Sequence, residues 1–337
     1  MKKLLFIVLA GVLLLMTGCS STSSKTSSEA TAEEPLIFKL PHNMNEQHTV
    51  HIALMDFAEQ VNEKTEGRIK IEIYPNAQLG SENEVLEQLM AGIIPMTKVS
   101  APTLATYDEG YHTYGLPFIF DDTAHYYRCM DSDIMRDFFM SSEEAGFVGL
   151  TYYTSGSRSF YTVDKPITKP EDLKGLKIRV QDMKSQTDML KALDGTPVAM
   201  AYGDVYTALQ TGIIDGTENN ETALTVGKHG EVCKVYSWDE HTMIPDMLVM
   251  SSKAWDLLSE EDRQIVIECA ENSTQTHKVE WDSAIEEAVA EAKTMGVTFV
   301  EDVDKEAFRL ATEEMIAGYE EKYPKVKELL DAIGTIQ

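Results

Sequence analysis

The stretch Gly175-Leu176-Lys177-Ile178-Arg179-Val180 decides the fold, because it predicts a short buried strand with an arginine inside it. A guanidinium keeps its proton at physiological pH, so a buried Arg179 needs an anion or several carbonyl groups around it. The residues leave two interpretations open. Arg179 either forms an internal ion pair with an Asp or Glu, or it receives the carboxylate of a ligand through two parallel hydrogen bonds.

A second arginine lies upstream, in Thr154-Ser155-Gly156-Ser157-Arg158-Ser159-Phe160-Tyr161. Further motifs are Tyr74-Pro75-Asn76-Ala77-Gln78-Leu79-Gly80, Leu116-Pro117-Phe118 and Asp215-Gly216-Thr217-Glu218-Asn219-Asn220. In this order, the motifs resemble those of the DctP-type substrate-binding proteins of tripartite ATP-independent periplasmic (TRAP) transporters. The resemblance covers essentially the whole chain after the N-terminal leader.

The resemblance implies an α/β fold with two lobes, similar to class II periplasmic binding proteins, with mixed sheets flanked by helices. The alternation of strand and helix patterns agrees with this class. The helical pattern from Glu260 toward Met295 is far longer than an ordinary globular helix and resembles the family's helix that spans both lobes. We expect lobe I at residues 35–155 plus 245–284, and lobe II at residues 156–244 plus 285–337.

In that family the arginine of this strand clamps the carboxylate of the substrate, so the resemblance gives this role to Arg179, and Arg158 is expected to supply a second cationic contact. It also implies polar ligand contacts at Asn43, Ser100 and Asn219. A turn role is the alternative for Asn219, which follows a glycine in a predicted loop.

Glu82, Lys98 and Asp239 have competing interpretations. Glu82 lies in the first turn of a helix that the capping-box pattern of residues 81–84 opens, where a carboxylate complements the helix dipole. The resemblance implies a ligand contact there instead. Lys98 either points into the cleft or lies at a solvated strand edge. Asp239 follows a predicted strand, and either Asp239 or His241 is expected to reach the cleft.

The N-terminal residues are typical of an exported lipoprotein. Two lysines precede the apolar run Leu4–Met16, and residues 1–18 predict a signal peptide cleaved before Cys19, which would carry lipid. The apolar run is shorter than the roughly 20 residues of a membrane-spanning helix. Residues 19–34 predict a flexible tether. We expect the protein to be exported and lipid-anchored on the outer face of the cytoplasmic membrane, in the periplasm or at the cell surface.

The formal net charge of −27 argues against nucleic acid or an anionic membrane surface as a partner. It does not oppose an anionic ligand, because surface charge is screened over about 8 Å at physiological salt. The expected partners are a small-molecule carboxylate and the membrane subunits of a TRAP transporter, and the protein is expected to be a monomer.

Histidines and cysteines raise a metal alternative. His48 and His51 are three residues apart on a predicted helix, near His42, and could share zinc. No clear third ligand completes the set, so we predict no cofactor and no metal. Three cysteines are predicted to be small apolar core residues, with one disulfide as the alternative: Cys129, Cys233 and Cys269.

The sequence carries none of the common hydrolase, nucleotide-binding or metalloprotease motifs, so we predict a binding protein and not an enzyme. Residues 96–100, 156–161 and 239–242 look most like family members that bind hexuronates such as glucuronate or galacturonate. The alternatives are the same transporter role with a C4-dicarboxylate or other carboxylate and, more distantly, a lipid-anchored hydrolase or a zinc-binding lipoprotein.

Overall fold

Strands and helices alternate along the chain, as the sequence predicts. The computed structural model describes residues 34–336. The predicted signal peptide, Cys19 and all but the last residue of the tether lie outside the described residues. The strands are β1 (Leu36–Pro41), β2 (Ile69–Tyr74), β3 (Met96–Ser100), β4 (Phe147–Tyr153), β5 (Arg158–Thr162), β6 (Lys177–Val180), β7 (Thr196–Ala199), β8 (Gly216–Asn219), β9 (Val235–Thr242), β10 (Asp246–Ser251) and β11 (Thr298–Val300).

Helices cover the faces of the sheets. They are α1 (Thr49–Lys64), α2 (Glu82–Ala91), α3 (Thr123–Met130), α4 (Asp133–Ser141), α5 (Lys184–Ala192), α6 (Val205–Gln210), α7 (Thr222–Thr225), α8 (Ser252–Trp255), α9 (Glu260–Thr294), α10 (Lys305–Lys322) and α11 (Pro324–Thr335). Within residues 34–336, none of these helices is both long enough and apolar enough to cross a membrane.

The strands form three sheets. β1 and β2 pair in parallel, while β10 lies between β3 and β4 in an antiparallel sheet. The third sheet has six strands in the order β11-β9-β5-β8-β6-β7, with parallel and antiparallel pairs mixed. The first two sheets take all their strands from the residues predicted for lobe I, and the third takes its strands from those predicted for lobe II. The lobe limits themselves stay a prediction.

The long predicted helix is present as α9, which has 35 residues. Near its start, Val266 and Ala270 pack into the apolar core around β1, β4 and β10. Near its end, Ala292 packs into the core that contains Tyr161 and Tyr236 of the six-stranded sheet. The helix therefore contributes to the cores of both halves of the fold.

The last helix packs against residues that were predicted for lobe I. α11 falls within residues 285–337, which were assigned to lobe II, yet its Leu329 and Ile333 pack in a core with Tyr111 from the other half. The carbonyl of Ile333 also lies 3.2 Å from Nε2 of His125. α11 therefore lies against residues 111 and 125, which were predicted for lobe I.

The predicted capping box is confirmed at the start of α2. Oγ of Ser81 accepts a hydrogen bond from the backbone N–H of Glu84, and the Glu84 carboxylate accepts one from the N–H of Ser81. This exchange satisfies two N–H groups that the first helical turn leaves without intrahelical partners. It fixes the position of Glu82 in that turn.

The structure differs locally from what the sequence pattern indicates. α3 and α4 are separate helices, because the side chain of Ser132 accepts a hydrogen bond from the N–H of Met135 and begins a new helix. Residues 215–220 were expected to form a loop because they include glycine and asparagine. Residues 216–219 form β8 instead, because pairing with β5 and β6 outweighs the weak strand preference of these residues.

Candidate functional site

A cavity of about 270 Å³ is lined by residues from both the three-stranded and the six-stranded sheet. Its volume is slightly below the ~300–1,000 Å³ typical of small-molecule pockets. Two predicted site residues, Lys98 and Asp239, are not among its lining residues. The predicted residues that line it are Asn43, Glu82, Ser100, Arg158, Arg179 and Asn219.

Arg179 lies on β6 between the fully buried side chains of Ile178 and Val180, and it is only 3% exposed. Its Nε and Nη2 donate to the carbonyl of Met200 at 3.1 and 2.9 Å. No carboxylate of residues 34–336 lies within 4.0 Å of its guanidinium, so the ion-pair interpretation is wrong for the part of the chain that is described. Burial and the neighbouring Arg158 lower the pKa of Arg179, although Glu218 acts in the opposite sense.

Arg158 also lines the cavity, but its charge is neutralised inside the protein. Its Nε and Nη2 donate to the Glu218 carboxylate, Nη2 donates to the Glu218 carbonyl at 2.9 Å, and Nη1 donates to Oδ1 of Asn219 at 2.7 Å. These contacts use four of the five N–H groups of a guanidinium. Arg158 can therefore offer a ligand at most one further hydrogen bond.

Glu82, Lys98 and Asp246 form a second buried charge cluster. Nζ of Lys98 lies 3.0 Å from Oε1 of Glu82 and 2.9 Å from Oδ1 of Asp246, and its side chain is completely buried. Burial opposes the charge on Lys98, but Asp246 and Glu82 outweigh it and raise its pKa. Ser100 donates through its N–H to Glu82. Lys98 thus supports Glu82 from behind the cavity wall, which corrects the expectation that it either faces the cleft or is solvated.

The sequence of this chain matches a protein-family model over most of its length. The model described as "Bacterial extracellular solute-binding protein, family 7" (DctP) matches residues 40–322. This chain is a family 7 extracellular solute-binding protein. The family is one of solute-binding proteins of transporters, as the sequence motifs indicate.

The similarity of this family 7 protein to its relatives extends over most of its length. It is 39% identical to the Salmonella typhimurium protein YiiZ over 301 residues, which are 89% of this chain and 91% of YiiZ. Its structure is similar to that of a TRAP periplasmic solute-binding protein from Anaerococcus prevotii with bound D-glucuronate, with a TM-score of 0.86 and 37% identity over 89% of this chain and 98% of that one. A TRAP periplasmic solute-binding protein from Xanthobacter autotrophicus with bound β-D-galacturonate gives a TM-score of 0.86 and 32% identity, covering 89% and 100% of the two chains.

Asp239 and His241 of this family 7 protein lie behind the site and not on its wall. The sequence predicted that the strand ends before them, but both are fully buried in β9. Asp239 accepts a hydrogen bond from the N–H of Phe160 at 2.8 Å, and its other oxygen contacts Nδ1 of His241. Nε2 of His241 lies 3.6 Å from the Glu218 carboxylate. Burial opposes a charge on His241, but Asp239 and Glu218 outweigh it and raise its pKa to about 9.

The three histidines of the zinc alternative do not converge on one point. Nε2 of His42 lies 3.0 Å from Nδ1 of His51, whereas Nδ1 of His48 accepts a hydrogen bond from Val50 and so caps α1. Burial lowers the pKa of His42 and of His48 to about 3. Residues 34–336 contain no group of three or more His, Cys, Asp or Glu side chains arranged to hold a metal. Three buried cysteines are free: Cys129, Cys233 and Cys269.

Sequence reasoning missed two carboxylates of this site, Asp246 and Glu218. Asp246 begins β10, where the apolar run Met247-Leu248-Val249-Met250 and then Ser251 follow it, and every residue of the strand is buried. A charged residue next to an apolar strand segment is the signal that indicated Arg179, and the same signal is present at Asp246. Glu218 was included in the predicted loop after α6, so nothing in its local sequence marked it as buried.

Proposed function

We propose that this family 7 protein captures a hexuronate, such as glucuronate or galacturonate, for a TRAP transporter. The observation that carries the proposal is Arg179, a buried cation on the cavity wall with no carboxylate of the described residues within 4.0 Å. A buried charge is costly unless an anion compensates it. A ligand carboxylate would supply that compensation.

The donor geometry of Arg179 suits a carboxylate. Because Nε and one N–H of Nη2 are directed to Met200, the second N–H of Nη2 and both of Nη1 remain. Adjacent N–H groups on Nη1 and Nη2 can bind the two oxygens of one carboxylate in parallel. Arg158, neutralised by Glu218, would add at most a single hydrogen bond.

Other cavity groups suit the hydroxyls of a sugar ring. Oδ1 of Asn43 and Oε1 of Gln181 are buried acceptors with no hydrogen-bond partner among the described residues. Nδ2 of Asn219 donates to no described residue, because only its Oδ1 is engaged, by Arg158 and Asn220. Acceptors and donors of this kind, side by side, can bind hydroxyl groups, which both donate and accept.

Contacts between the two halves support a clamp that closes on the ligand. Nε2 of Gln181, two residues beyond Arg179, donates to Oγ of Ser100 at 2.9 Å. Nδ2 of Asn83 donates to Asp182 at 3.1 Å. In this proposal the two lobes have the limits that the sequence predicts, except that α11 belongs to the first lobe. The ligand enters between the lobes, which then close by a hinge motion.

The protein would act outside the cytoplasmic membrane, anchored by lipid on Cys19, and would deliver its ligand to the membrane subunits of the transporter. Support comes from the lipoprotein pattern of residues 1–19 and from the family description. Radioactive palmitate should label the exported wild type and not a Cys19→Ser variant. Equal labelling of both would contradict the anchor.

A thermal-shift screen tests the ligand class. A ligand at 100 times its Kd stabilises a protein by about 2.7 kcal/mol, which is an easily measured shift. We expect glucuronate or galacturonate to stabilise the protein and succinate to have no effect. Stabilisation by succinate alone would retain the arginine clamp but refute the uronate. Stabilisation by zinc alone would refute the proposal.

A further inference from the structure

The wall of the cavity carries a cation and an acidic cluster. Arg179 lines it and has no counter-ion among the described residues. The single ammonium group of Lys98 is shared by two carboxylates, Glu82 and Asp246, and both carboxylate residues line the cavity. Two carboxylates and one ammonium leave one negative charge in this cluster, so the cavity offers a ligand both a cation, at Arg179, and an anionic group, at Glu82.

The free carboxylate oxygen of the acidic cluster is an acceptor. Oε1 of Glu82 already receives Lys98 and the N–H of Ser100, and the oxygens of Asp246 receive Lys98 and the hydroxyl of Ser155. Oε2 of Glu82 has no donor among the described residues. A carboxylate oxygen accepts hydrogen bonds and cannot donate them, so Oε2 of Glu82 can bind a hydroxyl group and repels a second carboxylate.

We infer that Glu82, held by Lys98 beside Asp246, makes the site selective for polyhydroxy monocarboxylates and excludes dicarboxylates, including sugar diacids. This inference rests on the proposed function, since it takes Arg179 as the site of the first carboxylate. A diacid cannot escape the repulsion by turning round, because both of its ends are carboxylates. Like charges a few ångströms apart in a partly desolvated site lower affinity by about 100-fold or more.

Calorimetric titration of the exported protein with D-gluconate and D-glucarate tests this inference. The two ligands share an open carbon chain and differ at one end, which is a hydroxymethyl group in gluconate and a carboxylate in glucarate. We expect the wild type to bind gluconate at least 100-fold more tightly than glucarate. In Glu82→Gln, which removes the charge but keeps the size, this ratio should fall at least tenfold because glucarate binding improves.

Glu87→Gln is the matched control, because it removes the same charge from an exposed position on the same helix, outside the cavity. It should keep the wild-type ratio. A wild-type ratio below five, an unchanged ratio in Glu82→Gln, or no measurable gluconate binding would overturn the inference. D-Glucuronate, titrated in parallel, separates the two proposals: if it binds while these tests fail, the proposed function stands without the selectivity, and if it does not bind, the proposed function itself is wrong.

Discussion

Replacing Arg179 with alanine removes the group on which the proposed binding mode depends. The guanidinium can offer a ligand carboxylate two parallel hydrogen bonds, from Nη1 and Nη2, because its remaining contacts go to the carbonyl of Met200. A hydrogen bond to a charged group contributes roughly 1.5–3 kcal/mol. Allowing for water that replaces the side chain, we expect Arg179→Ala to weaken uronate binding by about 3–4 kcal/mol, which is two to three decades in Kd.

Isothermal titration of glucuronate into wild type and variant measures this loss. Arg179→Lys is the informative companion, because it keeps the charge but cannot form the two parallel hydrogen bonds, and its affinity should fall between the other two. When both proteins are free of ligand, Arg179→Ala should unfold at a temperature no lower than the wild type, since the substitution removes a buried charge that lacks a counter-ion among the described residues. Affinity of Arg179→Ala within fivefold of the wild type would refute the clamp.

Further predictions concern stability. Glu218→Gln leaves the buried Arg158 without its counter-ion and should lower the free energy of unfolding by about 3–5 kcal/mol in urea titration, whereas a loss below 1 kcal/mol would contradict the pairing. The pKa of His241 is raised to about 9, so protonated His241 stabilises the fold fully below about pH 6.5. As pH rises through 9, the free energy of unfolding should fall by up to about 3 kcal/mol, and in His241→Asn this decrease should be absent. Gly156→Ala should be destabilising, because Gly156 has φ +60° and an added Cβ would lie 3.0 Å from Nε1 of Trp281; an unchanged melting temperature would contradict this.

Local sequence was sufficient to predict the elements that depend on neighbouring residues. The capping box at Ser81 and Glu84, the buried strand around Arg179 and the long helix α9 follow from patterns within a few turns or strand residues. In each case the physical cause is local: a hydrogen bond three residues away, or the alternation and length of an apolar run.

The charge pairing in the site could not be predicted in this way. Arg158 and Arg179 look alike in sequence, since both lie in strand-like segments, but Arg158 pairs with Glu218 and Arg179 has no such partner among the described residues. Which arginine is neutralised depends on strand register, because β5 lies beside β8 with Phe160 opposite Glu218. That register is set by the whole sheet and has no signal near either residue.

The cluster of Glu82, Lys98 and Asp246 could not be predicted for the same reason, because its members are far apart in the sequence. Lys98 and Asp246 are 148 residues apart, and they meet because β3 and β10 are neighbours in the three-stranded sheet. Lys98 therefore looked like a residue of the cleft or a solvated edge, whereas it is fully buried and holds Glu82 at the wall. A charged residue inside an apolar strand indicates that an oppositely charged or polar group lies beside it, but the local sequence does not identify that group.

A crystal structure with D-glucuronate tests the central claim most directly. We expect the ligand carboxylate within about 3 Å of both Nη1 and Nη2 of Arg179, and a ring hydroxyl donating to Oε2 of Glu82. A ligand bound with its carboxylate away from Arg179, or with no hydroxyl near Glu82, would contradict the account.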